Sequence, residues 1–125
     1  MTLNEYLAAL RQQIERLDTY GFAESINFHE ELRAGKQAIV KAKIVLIDGS
    51  VLFIREYIDA KYRIAKVSYA YQYQDRDGSL IFRYDNAAHK PALSSLPHKH
   101  ISGGDMQPSA PPEISKLIEE VIGYL

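Results

Sequence analysis

Two Asp-Gly dipeptides, Asp48-Gly49 and Asp77-Gly78, constrain the fold more than any other feature of the sequence. Asp-Gly between alternating strands favours a tight type I′ hairpin, because that turn needs positive φ at both central positions. Residues 38–47 are rich in Val and Ile, with Lys41 and Lys43 alternating with apolar neighbours. Val51–Ile58 returns as the second strand, and Asp59-Ala60-Lys61 is a short connector. Tyr62–Gln74 reads as a long third strand. Its alternation puts Val67, Tyr69, Tyr71 and Tyr73 on one face and Ile64, Lys66, Ser68, Ala70 and Gln72 on the other. Leu80–Tyr84 is the fourth. Two hairpins and a short connector give a four-stranded antiparallel meander over residues 38–84, paired in chain order.

Helices are expected at both ends. Leu3, Leu7, Leu10, Ile14 and Leu17 recur at the helical period over residues 1–20, with Thr2 and Glu5 in a capping-box pattern and Gly21 as a stop. Residues 113–125 carry a second stripe, Ile114, Leu117, Ile118, Val121, Ile122 and Leu125, with Pro112 near the first position and Glu113 in the first turn. Residues 22–36 show no clear period. Phe22, Ile26 and Phe28 suit a core edge, while Glu30, Glu31, Arg33 and Lys36 look solvated. The order predicts an α+β fold with both helices packed on one face of the meander. The other face is left to solvent or a partner, so a homodimer is compatible with this layout. Residues 85–112, punctuated by Pro91, Pro97, Gly103, Gly104 and Pro108, read as a functional loop followed by a linker.

At 125 residues the chain is expected to be a single domain spanning 1–125, large enough for a core without staples. It has no Cys, which removes disulfides, thiol nucleophiles and thiolate metal sites. No apolar run approaches the ~20 residues needed to cross a bilayer. Acidic Glu5 stands where a signal peptide wants positive charge, so the expected location is cytoplasmic and no membrane contact is expected. With 15 Lys+Arg against 16 Asp+Glu, the net charge of −1 excludes a broad basic coat for nucleic acid. A compact positive site built from Arg83, Lys90 and Lys99 remains compatible with that balance.

The densest chemistry lies in Arg83-Tyr84-Asp85-Asn86, then His89, then Pro97-His98-Lys99-His100. Arg83 and Asp85 share a face if the strand reaches that far, as do His98 and His100 if extended. Glu56, in Arg55-Glu56-Tyr57, joins them if the register turns it the same way. Three readings compete. Asp85, His89, His98 and His100 offer nitrogen and oxygen ligands for a metal, but the spacing is a weak motif and Lys90 and Lys99 oppose a cation. Alternatively, histidines supply metal-free acid–base chemistry on a phosphodiester while Arg and Lys stabilise the developing charge. That chemistry suits RNA, whose 2′-OH is an internal nucleophile. Finally, His and Asp in a Pro-rich loop cap turns. For any single residue the capping role is the stronger reading; for all of them together it is not.

The chain has 9 Tyr and no Trp, and the alternating tyrosines admit two roles. Cross-strand packing on a half-buried face is favoured, and base stacking on Tyr69 and Tyr71 is the binding alternative. His29, between Phe28 and Glu30, reads as a surface or capping residue.

Phe82–His100 reads FRYDNAAHKPALSSLPHKH. This resembles an R-Y-D-N…H…P-H-(H)-K-H signature that follows an antiparallel sheet in TumE-type toxins, the toxin components of prokaryotic toxin–antitoxin systems. Arg55-Glu56-Tyr57 and the Tyr-rich strand fit as well, and the likeness is best over about residues 37–100. The resemblance implies a toxin partnered by a small DNA-binding antitoxin protein; it supplies no mechanism.

The combined expectation is a toxin acting on RNA, without cofactor or metal, as an endoribonuclease. His98 or His100 would be the general base or acid, with His89, Asp85 and Glu56 in supporting catalytic roles. Arg83, Lys99, Asn86, Tyr69 and Tyr71 would bind substrate. The alternatives are a non-catalytic binding module or partner protein, and a His-rich metal-binding protein.

Overall fold

The computed structural model describes residues 1–87 and 97–125. In chain order these form α1 (Leu3–Thr19), β1 (Ala23–Arg33), β2 (Gln37–Leu46), β3 (Val51–Asp59), β4 (Ala65–Gln74), β5 (Leu80–Asp85), β6 (His98–Ile101), β7 (Met106–Pro108) and α2 (Ile114–Ile122). All strands join one antiparallel sheet in the order β1-β2-β3-β4-β5-β6-β7. The meander and the two helices are as expected, but the sheet has seven strands rather than four.

The three additional strands have different origins. β1 pairs with β2 along its whole length, yet its burial is slight, with Ile26 and Phe28 half-buried among exposed polar residues. It is a charged edge strand, which blunts further strand addition and hides the hydrophobic alternation. β6 and β7 fall within the segment expected to be loop and linker. β6 pairs with β5 through Asp85↔His98 and Arg83↔His100, and short β7 closes that side of the sheet.

Both Asp-Gly sites form hairpins, but not by type I′ turns. Gly49 and Gly78 have positive φ (86° and 87°), whereas Asp48 and Asp77 do not. Gly49 N–H donates to the Leu46 carbonyl, and Gly78 N–H to the Asp75 carbonyl. These loops place glycine in the left-handed position after an ordinary turn. Asp48 Oδ1 accepts from Ser50 N–H (2.9 Å), and Asp75 Oδ1 accepts from both Asp77 and Ser79 N–H (2.9 Å each).

Both helices cover the same face. Leu7, Leu10, Ile14 and Leu17 of α1 and Ile114, Leu117, Ile118 and Val121 of α2 pack with the inward residues of β2–β5. The α1 capping box forms, with Thr2 N–H to Glu5 Oε1 at 2.9 Å and Glu5 N–H to Thr2 Oγ1 at 3.1 Å. Glu113 is the N-cap of α2 rather than a first-turn residue. Fully buried Leu17, Ile44, Leu52 and Leu117 each contribute on the order of 2 kcal/mol. Among the described residues no helix is long and apolar enough to cross a membrane.

A bulge between β3 and β4 changes which side chains face the helices. Tyr57 pairs with Ser68 but Ile58 pairs with Lys66, leaving Val67 as the extra residue. Simple alternation would put Val67 inside and Lys66 outside; the bulge leaves Val67 55% exposed and brings Lys66 to the helix side.

Candidate active site

The sheet has a helix-covered face and an open face, and the sequence candidates divide between them. Register places Ala70, Asp85 and His98 side by side across β4, β5 and β6, with Gln72, Arg83 and His100 in the next row of the same face. Four of the candidates therefore converge on the open face. Asp85 is wholly buried at its centre. Its Oδ1 lies 2.8 Å from His98 Nε2, and its Oδ2 lies 2.8 Å from Arg83 Nε and 3.4 Å from His100 Nε2. Ala87 N–H also donates to Oδ1 (3.1 Å). Arg83 Nη1 donates to Gln72 Oε1 at 2.8 Å, which fixes the guanidinium plane. The two imidazoles meet edge to face, with centroids 4.7 Å apart.

Burial works against ionising Asp85. The Arg83 hydrogen bond, the Ala87 N–H and the charges of His98 and Arg83 outweigh it, so the carboxyl is held below its ordinary pKa. Exposure separates the roles within the cluster. His98 is 4% exposed, whereas the side chains of His100 and Arg83 are 23% and 36% exposed and can meet a ligand. The ligand atoms of Asp85, His98 and His100 lie within 4.8 Å of one another, which is close enough to share a cation. The guanidinium on Asp85 is a competing positive charge in that arrangement.

The other candidates lie elsewhere. Glu56 is buried on the helix side, in phase with Leu52, Ile54 and Ile58. It accepts from Tyr6 Oη and from Tyr71 Oη (2.5 Å), with Lys66 Nζ at 3.6 Å. Burial and the Glu56 charge push the Tyr6 and Tyr71 hydroxyls well above the usual tyrosine pKa. Glu56 thus anchors α1 to the sheet. Tyr69 and Tyr71 are 5% and 0% exposed, stacked on each other at 5.3 Å, so no base can reach them from solvent. Their packing role, favoured in the sequence, is the one they fill.

Lys99 alternates away from His98 and His100. It lies over the Tyr84 ring (4.7 Å) and donates to Glu120 Oε2 (2.9 Å), while Tyr84 Oη donates to Glu120 Oε1 (2.7 Å). It ties β6 to α2. Asn86 accepts from Tyr69 N–H (3.0 Å) and donates to the Val67 carbonyl (3.1 Å). His89 and Lys90 lie outside the described residues.

The same face carries basic residues to which the sequence assigns no functional role, Lys41, Lys43 and Arg55 among them. A shallow groove of about 640 Å³ is lined by His29, Lys41, Lys43, Phe53, Arg55 and Arg83, among others. The sequence held one signal for it: Lys41 and Lys43 are in phase with each other and out of phase with Val40, Ala42 and Ile44, so both must face away from the core.

A two-layer α+β protein with an Asp-centred His/Arg cluster on the sheet face opposite its helices is thus defined by fold and site together. The Toxin TumE family model matches residues 11–125, and the chain belongs to that toxin family. The match extends beyond the 37–100 region that carries the sequence resemblance. Comparisons with curated proteins and with solved structures gave no match.

Proposed function

We propose that this toxin is a metal-independent endoribonuclease, and that it is held in check by a small antitoxin protein. The observation that carries the activity is the convergence of Arg83, Asp85, His98 and His100 on the open face. His100 is the accessible imidazole and acts as the general base. It takes the proton from a ribose 2′-OH, and the 2′-oxygen attacks the adjacent phosphorus. The P–O5′ bond breaks, and the 5′-oxygen takes a proton from solvent. The products are a 2′,3′-cyclic phosphate and a 5′-hydroxyl. Arg83 stabilises the negative charge that builds on the non-bridging oxygens. Asp85 and His98 are positioning residues: they hold Arg83 and His100 in place and do not touch the substrate.

The test is cleavage of end-labelled RNA by purified protein, with and without EDTA, against His100→Ala and Arg83→Gln. Expected are EDTA-resistant cleavage by the wild type, cyclic-phosphate ends, and loss in both variants. Equal, background-level cleavage by wild type and His100→Ala in both conditions overturns the reading. Cleavage abolished by EDTA and restored by a divalent ion would favour a metal held by Asp85, His98 and His100.

A further inference from the structure

Beyond the cluster, the open face has an arrangement that the fold does not require. Register aligns two parallel rows across the strands. One runs His29–Lys41–Arg55–Ala70–Asp85–His98, the other Asn27–Lys43–Phe53–Gln72–Arg83–His100. Lys41 stands directly opposite Arg55, and Lys43 is two residues further along β2. Like charges directly opposed across a sheet are destabilising unless something neutralises them. Among the described residues, no carboxylate lines the groove. Among the described residues, Lys41, Lys43 and Arg55 form no ion pair. The chain has 16 acidic residues, so this gap does not follow from composition. Uncompensated like charges in a groove are the signature of a site for an anionic ligand.

The shape narrows the ligand. The rows are two residues apart along the strands, about 7 Å, and from β1 to β6 they extend roughly 24 Å. That is a long, narrow belt, suited to one extended strand rather than a compact anion. It holds on the order of four nucleotides, the short end of single-strand site sizes. Half-buried Phe53 lies in the same row, with Lys43 Nζ over its ring at 5.9 Å, and adds an aromatic surface to the belt. The belt ends at Asp85, His98 and His100.

We infer that the open face is a track for the sugar–phosphate backbone of a single RNA strand, with His29, Lys41, Lys43 and Arg55 contacting phosphates upstream or downstream of the one presented to His100. This rests on the ribonuclease reading, but binding can be measured separately from cleavage.

The probe is a fluorescent single-stranded RNA of about ten nucleotides, fully 2′-O-methylated so that it lacks the internal nucleophile. Anisotropy is read for the wild type, the double variant Lys41→Gln/Arg55→Gln, and an off-face control, Lys36→Gln/Lys116→Gln. All four altered residues are exposed, and circular dichroism verifies folding. The track variant should bind at least ~10-fold more weakly, with the slope of log K against log salt reduced by about 1.4 for two lost phosphate contacts. The off-face control should stay within about twofold of wild type. Unchanged affinity and salt slope in the track variant overturn the track, even if the wild type cleaves RNA. Conversely, methylated RNA bound through Lys41 and Arg55 without any cleavage of ordinary RNA retains the track and overturns the ribonuclease. If the wild type binds no RNA and the track variant instead loses a co-expressed antitoxin, the face is a protein interface and the inference fails.

Discussion

The two faces of the sheet each bury a carboxylate with no solvent exposure, and they treat it in opposite ways. On the covered face, Glu56 receives phenol donors from Tyr6 and Tyr71, with one ammonium at 3.6 Å. On the open face, Asp85 is surrounded by a guanidinium and two imidazoles. Phenols raised above their ordinary pKa keep their protons near neutrality. Imidazoles ordinarily exchange protons in that range. The comparison teaches that burial of an acid does not by itself single out a candidate site; the two buried carboxylates differ in the proton inventory of their neighbours.

The contrast is breakable at several points. The largest effect is expected from His100→Ala, which should lower RNA cleavage ~10²–10⁴-fold with little change in melting temperature. Glu56→Ala should do the reverse. It strands two hydroxyls and an ammonium in the core and costs about 3–5 kcal/mol, read by denaturant unfolding, while the folded fraction keeps its RNA affinity. Tyr71→Phe removes one hydroxyl from the same network, the donor to Glu56 and the acceptor from Lys66 Nζ (2.7 Å), and should cost about 1–2 kcal/mol.

Asp85 gives a pH test. Its folded-state pKa is below its unfolded value, so the stability it contributes is present above the unfolded pKa and is lost as pH falls through the folded one. Asp85→Asn should flatten this acid-side loss in a series of melts from neutral pH downwards. A variant whose stability falls with acid as steeply as the wild type would contradict that assignment. The smallest effect is expected for Lys99→Gln. Its partly exposed pair with Glu120 should contribute about 0.5 kcal/mol, measurable as a small shift in unfolding midpoint, with cleavage unaffected.

Much of this was legible in the residues. The helix stripes and the core of β2–β5 follow from periodicity, and the density of Arg, Asp and His in the Arg83–His100 stretch is visible in the sequence. Phase between strands was the missing information. Alternation says that Arg83 and Asp85 share a face, and that His98 and His100 do, but not that the two pairs face each other. That needed the pairing of β6 with β5, hidden in a Pro-containing segment. Glu56 carried an overlooked clue, since it is in phase with Leu52 and Ile54, which belong to the core. Lys66 could not be placed from alternation, because a one-residue bulge inverts the phase of everything before it. β1 escaped because an edge strand that wards off neighbours looks, in composition, like a loop.

Asn86 has a consequence of a different kind. A carboxamide has the donor and acceptor of a peptide group, and this one bonds Tyr69 N–H and the Val67 carbonyl just where β5 ends. The side chain acts as one further rung of the ladder, so the main chain is released from the sheet one step earlier than the hydrogen bonding is. The strand can stop at Asp85 without leaving its neighbour unsatisfied. A single amide thereby sets where the backbone departs, and it makes the last residue held by the sheet the carboxylate at the centre of the cluster.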